Sequence, residues 1–523
     1  MVTRKLGKAQ PIELNPLGVV LDVPPYAAPP DVYTECRNYR VTGGGMRRAD
    51  GVKVLLPDAG PYLFDPQFLQ VVTRQGEIVF LYAGSAGVGA TDGIAHYDVT
   101  PSTGWLSFAN GQMTGTVYNG IACLNTDEAP PWYWDGTYAI GGVKPLPGFL
   151  PGSRCKVLTA FGSHLFAGSI IDGAGVYNER LAWSDVAAYG AVPGTWTPTA
   201  TNQAGEIQLT TGAGGIVAMR GLGSNLIVYR ATGCYAVSYV GRPYIYTARK
   251  LSADVGAASR NSVAEAMGQH IVLAPGDIVI TDGVTWRSIG ESRVKRALFS
   301  QISEAGLAVA HVCHVPGKAE ILFNLPIGRD DLCNTIYAWN YAEDRWSVRD
   351  APLTAHTVAT FVPEATAVTQ WDTDAGTWDS DYVAWNATPQ GGYQTRAAAA
   401  CPSDSVLRVL DVGDLDREGL PIKGKLERLS MPLGDVSTVK LVTRIFPRVN
   451  ATAGTVLRIT PGGQIEGSDA ISWEPAQLYT VGSSEGVTCS VMGRFISLRI
   501  ECDTIEPHTI SGFGIEYRER GYQ

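Results

Sequence analysis

The chain of 523 residues has little charge for its length, because only 17% of its residues are Asp, Glu, Lys or Arg. Helical blocks rich in Ala, Glu, Lys, Leu and Arg are missing from most of it, and no run of 18 apolar residues occurs. These absences argue against a mainly helical protein and against a membrane-spanning helix. No apolar stretch follows the basic residues near the N-terminus, so we expect no membrane insertion and synthesis in a cytoplasm.

The cysteines lack the spacing of a metal site or a redox motif. They are nine, an odd number, and none forms a C-x-x-C pair; they stand at positions 36, 123, 155, 234, 313, 333, 401, 489 and 502. This pattern is typical of reduced thiols that serve as small buried apolar residues.

Charge of one sign is not concentrated in a tail or arm. The net charge is −9, and we interpret the acidic and basic residues as spread along the chain. Specific binding to duplex DNA is therefore not expected, since such binding depends on clustered cations that neutralise phosphates. An acidic surface would still let DNA pass without adhering to it.

What the chain has in abundance is turn-forming residues, with 60 glycines and 31 prolines. Short apolar strands alternate with polar turns, and an aromatic residue often follows the turn, as in the segments 132–142, 223–240, 268–290, 336–348 and 367–380. Antiparallel strand groups that recur every roughly 40 to 60 residues predict a β-propeller or a related array. The predicted fold class is thus all-β, with a propeller-like body, an added β-sandwich and little helix.

Three regions are predicted. Residues 1–50 are Pro-rich and are expected to form an extended N-terminal arm, because proline cannot donate to a central strand. Residues 51–400 form the propeller-like domain, with a short helical insertion near 292–310 whose apolar residues have helical spacing. Residues 401–523 alternate apolar and polar residues without the Trp-turn pattern, which predicts a C-terminal β-sandwich.

The stretch "RLAWSDVAAYGAVPGTWTPT" (180–199) places Trp183 and Trp196 around a Gly- and Pro-rich connection that contains Asp185. It invites comparison with the Asp-box turn of sialidase propellers, as do 281–286 and 374–380, although none has the full spacing. Such a turn is structural, so we expect these residues to brace a blade connection.

Two carboxylate groups could be read as loose calcium loops, namely Asp372, Asp374, Asp379 and Asp381, and then Asp411, Asp414, Asp416 and Glu418. Neither follows the spacing of a calcium-binding loop, and turn-capping is the simpler interpretation. His311, Cys313 and His314 lie close together, but on a strand His314 points away from the other two, so a zinc site is not expected.

The Gly-rich stretches at 87–93 and 210–215 lack the lysine of a phosphate loop, and no G-x-S-x-G nucleophile motif occurs. The sequence therefore predicts no catalytic residue, no cofactor-binding residue and no metal ligand. On this basis the protein is not expected to be an enzyme.

Several segments nevertheless match one family in order. Residues 180–240, "RLAWSDV…GTWTP…NQAGEIQLTTGAGGIVAMRGLGSNLIVYRATGCYAVSYVGRP", resemble the tail nozzle proteins of short-tailed bacteriophages, also called tail-tube or stabilisation proteins. The N-terminal segment is similar too, with matching residues at Asp22, Pro30, Asn38, Arg47 and Gly51. It departs from the family at Tyr33, which stands near an expected Trp, and at the Gly run 43–45. The closing segment 493–521 is also similar.

The resemblance implies a structural virion protein located in the phage tail. It implies a homo-oligomeric ring, a hexamer, below the portal and adaptor proteins, with tail fibres or spikes as further partners. The ring's channel would retain packaged DNA and conduct it during ejection, through transient non-specific contacts.

Two other hypotheses remain open. A tail-associated glycan hydrolase would have two carboxylates about 5 to 10 Å apart in a cleft. A carbohydrate-binding propeller would be a monomer with exposed tryptophans. A nozzle would instead form head-to-tail interfaces that close by rotation.

Overall fold

The computed structural model describes residues 10–74, 76–210, 214–252, 254–328, 330–362 and 394–522. The first strands of the chain are short; they are β1 (Gln10–Leu14), β2 (Glu35–Arg37), β3 (Tyr39–Thr42), β4 (Gly45–Arg48) and β5 (Val52–Val54). The Pro-rich stretch between β1 and β2 contains a 3-10 turn at Pro25–Ala27.

The centre of the chain forms four-stranded antiparallel sheets, each of which follows the chain order of its strands. Blade 1 consists of β6 (Phe68–Arg74), β7 (Glu77–Ala83), β8 (Val88–Thr91) and β9 (His96–Asp98). Blade 2 consists of β10 (Thr114–Tyr118), β11 (Ile121–Asn125), β12 (Trp132–Trp134) and β13 (Val143–Pro145). Blade 3 consists of β14 (Arg154–Phe161), β15 (His164–Asp172), β16 (Gly175–Trp183) and β17 (Gly205–Gln208).

Blade 4 consists of β18 (Ile216–Leu222), β19 (Asn225–Arg230), β20 (Cys234–Gly241) and β21 (Ile245–Ser252). Blade 5 consists of β22 (Val263–Ala266), β23 (Gln269–Ala274), β24 (Asp277–Thr281) and β25 (Trp286–Ser288). Blade 6 consists of β26 (His311–Val315), β27 (Glu320–Leu325), β28 (Cys333–Asn340) and β29 (Arg345–Thr354). Blade 7 consists of β30 (His356–Val362), β31 (Gln394–Cys401) and β32 (Val406–Leu410), and β5 pairs with β32 as its fourth strand.

The first strands of successive blades contact one another in order, from β6 through β10, β14, β18, β22 and β26 to β30, and β30 contacts β6 again. The described residues therefore form a closed seven-bladed β-propeller. Because β5 precedes blade 1 in the chain and completes blade 7, the two ends of the propeller are held together by backbone hydrogen bonds. The all-β fold class predicted from the sequence is confirmed.

The remaining strands form a β-sandwich, with β33 (Gly424–Met431), β34 (Thr438–Ala451), β35 (Val456–Gln464), β36 (Ser472–Trp473), β37 (Gln477–Thr480), β38 (Val487–Gly493), β39 (Phe495–Cys502) and β40 (His508–Tyr522). One six-stranded sheet contains β1, β3, β4, β34, β38 and β40. The other contains β2, β33, β35, β36, β37 and β39. Apolar side chains of both sheets share one core with blades 5 and 6.

The predicted region boundaries differ from the structure in two places. The segment predicted as an extended arm, 1–50, supplies four strands to the sandwich from residue 10 onwards. Proline does not prevent this, because Pro11 lies in an edge strand, β1, which pairs on one side with β40. The propeller also extends past residue 400, since β32 pairs with β31 rather than with a sandwich strand.

Little helix is present, as predicted. The expected insertion near 292–310 connects blades 5 and 6, but it forms two short helices, α1 (Lys295–Phe299) and α2 (Glu304–Val309). Ser303 separates them because its side chain accepts a hydrogen bond from the Gly306 amide and so starts a new helix. No helix in the described part of the chain has the length and apolar character that crossing a bilayer requires.

Candidate functional site

The long connection between β16 and β17 contains most of the stretch 180–199, which was compared above with an Asp-box turn. Trp183 and Trp196 are both buried. The indole N–H of Trp183 donates to the Gln203 carbonyl at 2.8 Å, and the Gln203 amide donates to Asp185 Oδ1 at 2.9 Å. The Trp196 ring packs edge-on against Phe149, with ring centroids 5.1 Å apart. These residues brace the connection, as predicted.

The second Asp-box-like turn is also structural. Asp282 lies in the turn between β24 and β25, where its Oδ1 accepts hydrogen bonds from the amides of Val284 at 2.8 Å and Thr285 at 2.7 Å. These bonds lower the pKa of the Asp282 carboxyl, since they stabilise its charged form. The third such stretch, 374–380, lies outside the described residues, as do Asp372, Asp374, Asp379 and Asp381.

The carboxylates considered as a second calcium loop point to different partners. Asp411 pairs with Arg40, and Asp414 pairs with Arg48. Asp416 caps the local turn by accepting hydrogen bonds from backbone amides, and Glu418 pairs with Arg417. Within the ranges that the structure describes, no three His, Cys, Asp or Glu side chains are grouped to hold a metal ion.

The two histidines of the 311–314 group contact different residues. His311 Nε2 lies 3.1 Å from Thr357 Oγ1, whereas His314 Nε2 lies 3.3 Å from Tyr341 Oη on another side of the strand.

The sequence did not reveal that His311 meets two residues from neighbouring strands. Its Nδ1 lies 3.6 Å from Cys333 Sγ, and its ring stacks on His356 at 5.7 Å between centroids. Burial lowers the pKa of His311 to about 4 and of His356 to about 3. Both imidazoles are therefore neutral at pH 7 and belong to the interior of the propeller.

Three polar side chains lie on consecutive innermost strands, which surround the propeller axis. Arg220 on β18 and Glu265 on β22 are exposed, and His314 on β26 is half-buried. Arg220 Nη1 donates to the Val263 carbonyl at 3.3 Å. Desolvation by the surrounding protein lowers the pKa of the Arg220 guanidinium, although Glu265 acts in the opposite direction. We call Arg220, Glu265 and His314 the axial cluster.

The propeller and the sandwich meet at a buried ion cluster. Arg40 on β3 pairs with Glu320 on β27 at 2.9 Å and with Asp411 at 2.8 Å, and Arg349 on β29 pairs with the same two carboxylates. Burial alone would raise the pKa of Glu320, but the guanidinium groups of Arg349 and Arg40 outweigh it and hold that pKa below its usual range. We call Arg40, Glu320, Arg349 and Asp411 the junction cluster.

A cavity of about 310 Å³ adjoins the junction cluster. Its walls include apolar residues of blade 6 and of the 410–423 segment, among them Leu322, Ile336 and Ile422. The ionic side chains that line it at Arg349 and Asp411 are already engaged in ion pairs. This arrangement stabilises the contact between the two domains. Four further carboxylates line the same cavity, at Asp50, Asp350, Asp416 and Glu418.

Comparisons with known proteins give weak likenesses to solved structures. No protein-family model and no curated protein sequence matches the chain. Among solved structures, the WD40 β-propeller domain of Doa1 is similar with a TM-score of 0.37 and 11% identity, over 69% of this chain and 97% of that one. The exo-β-1,3-galactanase of Phanerochaete chrysosporium is similar with a TM-score of 0.27 and 10% identity, over 90% of this chain and 100% of that one.

The extracellular domain of the one-component system BT4673 from B. thetaiotaomicron is similar with a TM-score of 0.37 and 10% identity, over 81% of this chain and 48% of that one. The β-propeller assignment of this chain follows from its closed ring of seven blades.

Proposed function

We propose that the protein is a structural assembly subunit, and more finely a tail nozzle protein of a short-tailed phage that forms a ring around the path of the genome. The observation that carries the proposal is the junction cluster, which joins the sandwich to the propeller through three buried charges, Arg40, Glu320 and Arg349, and the 10% exposed Asp411. A subunit that bears load in a particle needs its domains held in one orientation. The sequence resemblance over 180–240 supplies the finer identification.

The state of the tryptophans supports an assembly role over sugar binding. Every tryptophan in the described ranges is buried or half-buried, and none is exposed. A carbohydrate platform built on tryptophan needs an indole face that is open to solvent. Trp183 and Trp196, for example, pack within blade 3 and its long connection.

The charge of the chain fits a conduit for DNA. A net charge of −9 repels the phosphate backbone at long range, so DNA would move past the protein without being held. DNA would therefore be a transient neighbour of the ring and not a ligand.

The proposed function is tested by particles assembled without this chain. We expect such particles to package DNA and then lose it, so that nuclease digests the genome of intact-looking capsids; adding the purified chain before nuclease should restore protection. Particles that keep their DNA protected without the chain would contradict the proposal. A chain that carries Glu265→Gln is the matched control, because it alters only the axial cluster and should restore protection fully.

A second candidate function, a glycan-binding or glycan-hydrolysing propeller, is favoured by the axial cluster. Arg220, Glu265 and His314 place a cation, a carboxylate and an imidazole on adjacent innermost strands, where the side chains reach solvent. Hydrolysis would require a second carboxylate within about 10 Å of Glu265. Loss of glycan binding or cleavage in Glu265→Gln, measured on host surface polysaccharide, would favour this candidate; unchanged behaviour would reject it.

A further inference from the structure

The outer strand of blade 4, β21, differs from the outer strands of the other blades. It has eight residues, whereas β5, β9, β13, β17 and β25 have three or four. The outer strand of blade 6 is longer, but the sandwich covers it, because the amides of Val19 and Asn38 donate to its Trp346 and Val348 carbonyls. No strand of the described chain pairs with the outer edge of β21. A long free edge is a surface on which another chain can dock.

Blade 4 is also the blade with charge of a single sign. It contains no carboxylate and five cations, at Arg220, Arg230, Arg242, Arg249 and Lys250. Of these, Arg249 and Lys250 are exposed on β21 and form no ion pair within the described residues. Uncompensated charge on a free strand edge either prevents pairing or selects an acidic partner.

Exposed aromatic and apolar side chains extend this surface beyond β21. Tyr239 is 57% exposed and Val240 is 51% exposed at the end of β20, and Tyr244 is 76% exposed in the turn that follows. Tyrosine and arginine are enriched at the centres of protein interfaces. We call Tyr239, Val240, Tyr244, Arg249 and Lys250 the blade 4 rim.

A complementary surface exists on the same chain, at the rim of blade 1. Its outer strand β9 also has a free edge, and the preceding turn exposes Ile94 to 80%. Blade 1 has three carboxylates, Glu77, Asp92 and Asp98, against one arginine, Arg74. Arg74 lies over the Trp134 ring at 5.4 Å, so it is directed at blade 2. Asp92 and Asp98 are half-buried, and each also accepts a backbone hydrogen bond, from the amides of Ile94 and Thr100 respectively. We call Asp92, Ile94 and Asp98 the blade 1 rim.

We propose that the blade 4 rim of one copy binds the blade 1 rim of a second copy, head to tail. Two different surfaces of one chain that bind each other generate a ring or a filament, which is the geometry that a ring-forming subunit requires. The inference rests on the proposed function, whose partner surface it names. Opposite charges bring the rims together, and the exposed tyrosines and Ile94 supply apolar contact area.

Nucleic acid is a poorer occupant of the blade 4 rim. Arg230 is buried and donates to the Leu209 and Gly214 carbonyls, and Arg220 lies at the propeller axis. Arg242 donates to the Thr201 carbonyl at 2.5 Å and to the Ala200 carbonyl. Two free cations neutralise too few phosphates for stable binding at physiological salt.

The interface is tested by zero-length carbodiimide crosslinking of a mixture of ¹⁵N-labelled and unlabelled full-length chain. A carbodiimide joins the Lys250 amine to a carboxylate only when the two groups touch. We expect a crosslinked peptide pair that joins Lys250 to Asp92 or Asp98, with one labelled and one unlabelled peptide. Lys250→Arg is the matched control: it keeps the charge and the self-association, and it loses the crosslink.

Sedimentation equilibrium measures the dissociation constant of self-association. Arg249→Glu with Lys250→Glu should weaken self-association by about ten-fold or more, because it places like charges at the interface. A natural chain that stays monomeric at its solubility limit, unchanged association of the double variant, or Lys250 crosslinks only to other carboxylates would each overturn the proposal. The proposal would also be overturned if particles with the Arg249→Glu, Lys250→Glu variant lost their DNA while the variant still self-associated normally.

Failure of the interface and failure of the nozzle function are distinguishable. Particles that lose their DNA without the chain, together with crosslinks elsewhere on its surface, would keep the function and reject this interface. A Lys250 to Asp92 or Asp98 crosslink, together with particles that retain DNA without the chain, would keep the interface and reject the function.

Discussion

Arg40 of the sandwich and Glu320 of blade 6 form a buried ion pair in which Arg40 Nη2 lies 2.9 Å from Glu320 Oε2, although 280 residues separate them in the chain. Their side chains are only 3% and 1% exposed. A buried charge that loses its partner remains desolvated without compensation. This pair and its neighbours Arg349 and Asp411 therefore hold the propeller and the sandwich together, along with the apolar core that both sheets share with blades 5 and 6.

Breaking the pair should destabilise the protein strongly. Glu320→Ala leaves two buried arginines short of a carboxylate, and we expect a loss of about 3–5 kcal/mol in the free energy of unfolding, measured by urea denaturation. The control is Asp503→Ala, which removes an exposed pair between Arg458 and Asp503 and should cost less than about 1 kcal/mol. Similar losses in both variants would show that the junction cluster does not hold the domains together.

Acid should destabilise the fold before its carboxylates titrate. Burial lowers the pKa of His270, His311 and His508 to about 4, below the value of about 6.5 expected in the unfolded chain. Between these values the unfolded state binds more protons, so stability is complete above pH 6.5 and falls as the pH drops towards 4.

Each of these histidines contributes up to about 1.4 kcal/mol per pH unit in that window. We expect the melting temperature to decrease steadily from pH 7 to pH 4.5. The melting temperature should fall less steeply with pH in the His270→Gln variant, because glutamine keeps a hydrogen-bonding side chain but has no ionisable group. Equal slopes in the two proteins would show that His270 is not buried in its neutral form.

The connection between β16 and β17 should open when its Asp anchor is removed. Asp185→Ala deletes the acceptor of the Gln203 amide, and we expect faster cleavage within residues 186–202 by a protease of broad specificity. Asp185→Asn retains an acceptor oxygen and should be cleaved at about the rate of the natural chain. If all three proteins are cut equally, the anchor has no role in ordering the connection.

The thiols should react very slowly in the native protein. Eight of the nine free cysteines are buried, and Cys489 is half-buried with a pKa raised by burial to about 11. A thiol-disulfide reagent at pH 8 should therefore label at most Cys489 slowly, and all nine after denaturation. Rapid labelling of several cysteines without denaturant would contradict the described core.

The sequence predicted the parts of this fold that depend on local patterns. Strand alternation and turn residues around segments such as 268–290 were sufficient to predict antiparallel blades. The bracing role of Trp183 followed from its position beside a turn. The blade number could not be read, because the turns vary in length from two residues to the long connection that contains Asp185.

Pairing between strands and side chains that lie far apart in the chain could not be predicted from local sequence patterns. Nothing near Val52–Val54 indicates that β5 completes a blade whose other strands lie more than 300 residues later. The junction cluster was missed for the same reason, since Asp411 was considered only beside its neighbours Asp414 and Asp416. One signal was available but overlooked: residues 207–253 contain no carboxylate, so the charge is less evenly spread than the net value suggested.

The most direct test of the account is cryo-electron microscopy of particles that contain the protein, with the rotational symmetry determined around the tail axis. The account predicts six copies in a closed ring around an open channel, with the blade 4 rim of each copy against the blade 1 rim of the next. A single propeller at the particle surface, with a glycan bound at Arg220, Glu265 and His314, would contradict it and establish the carbohydrate function instead.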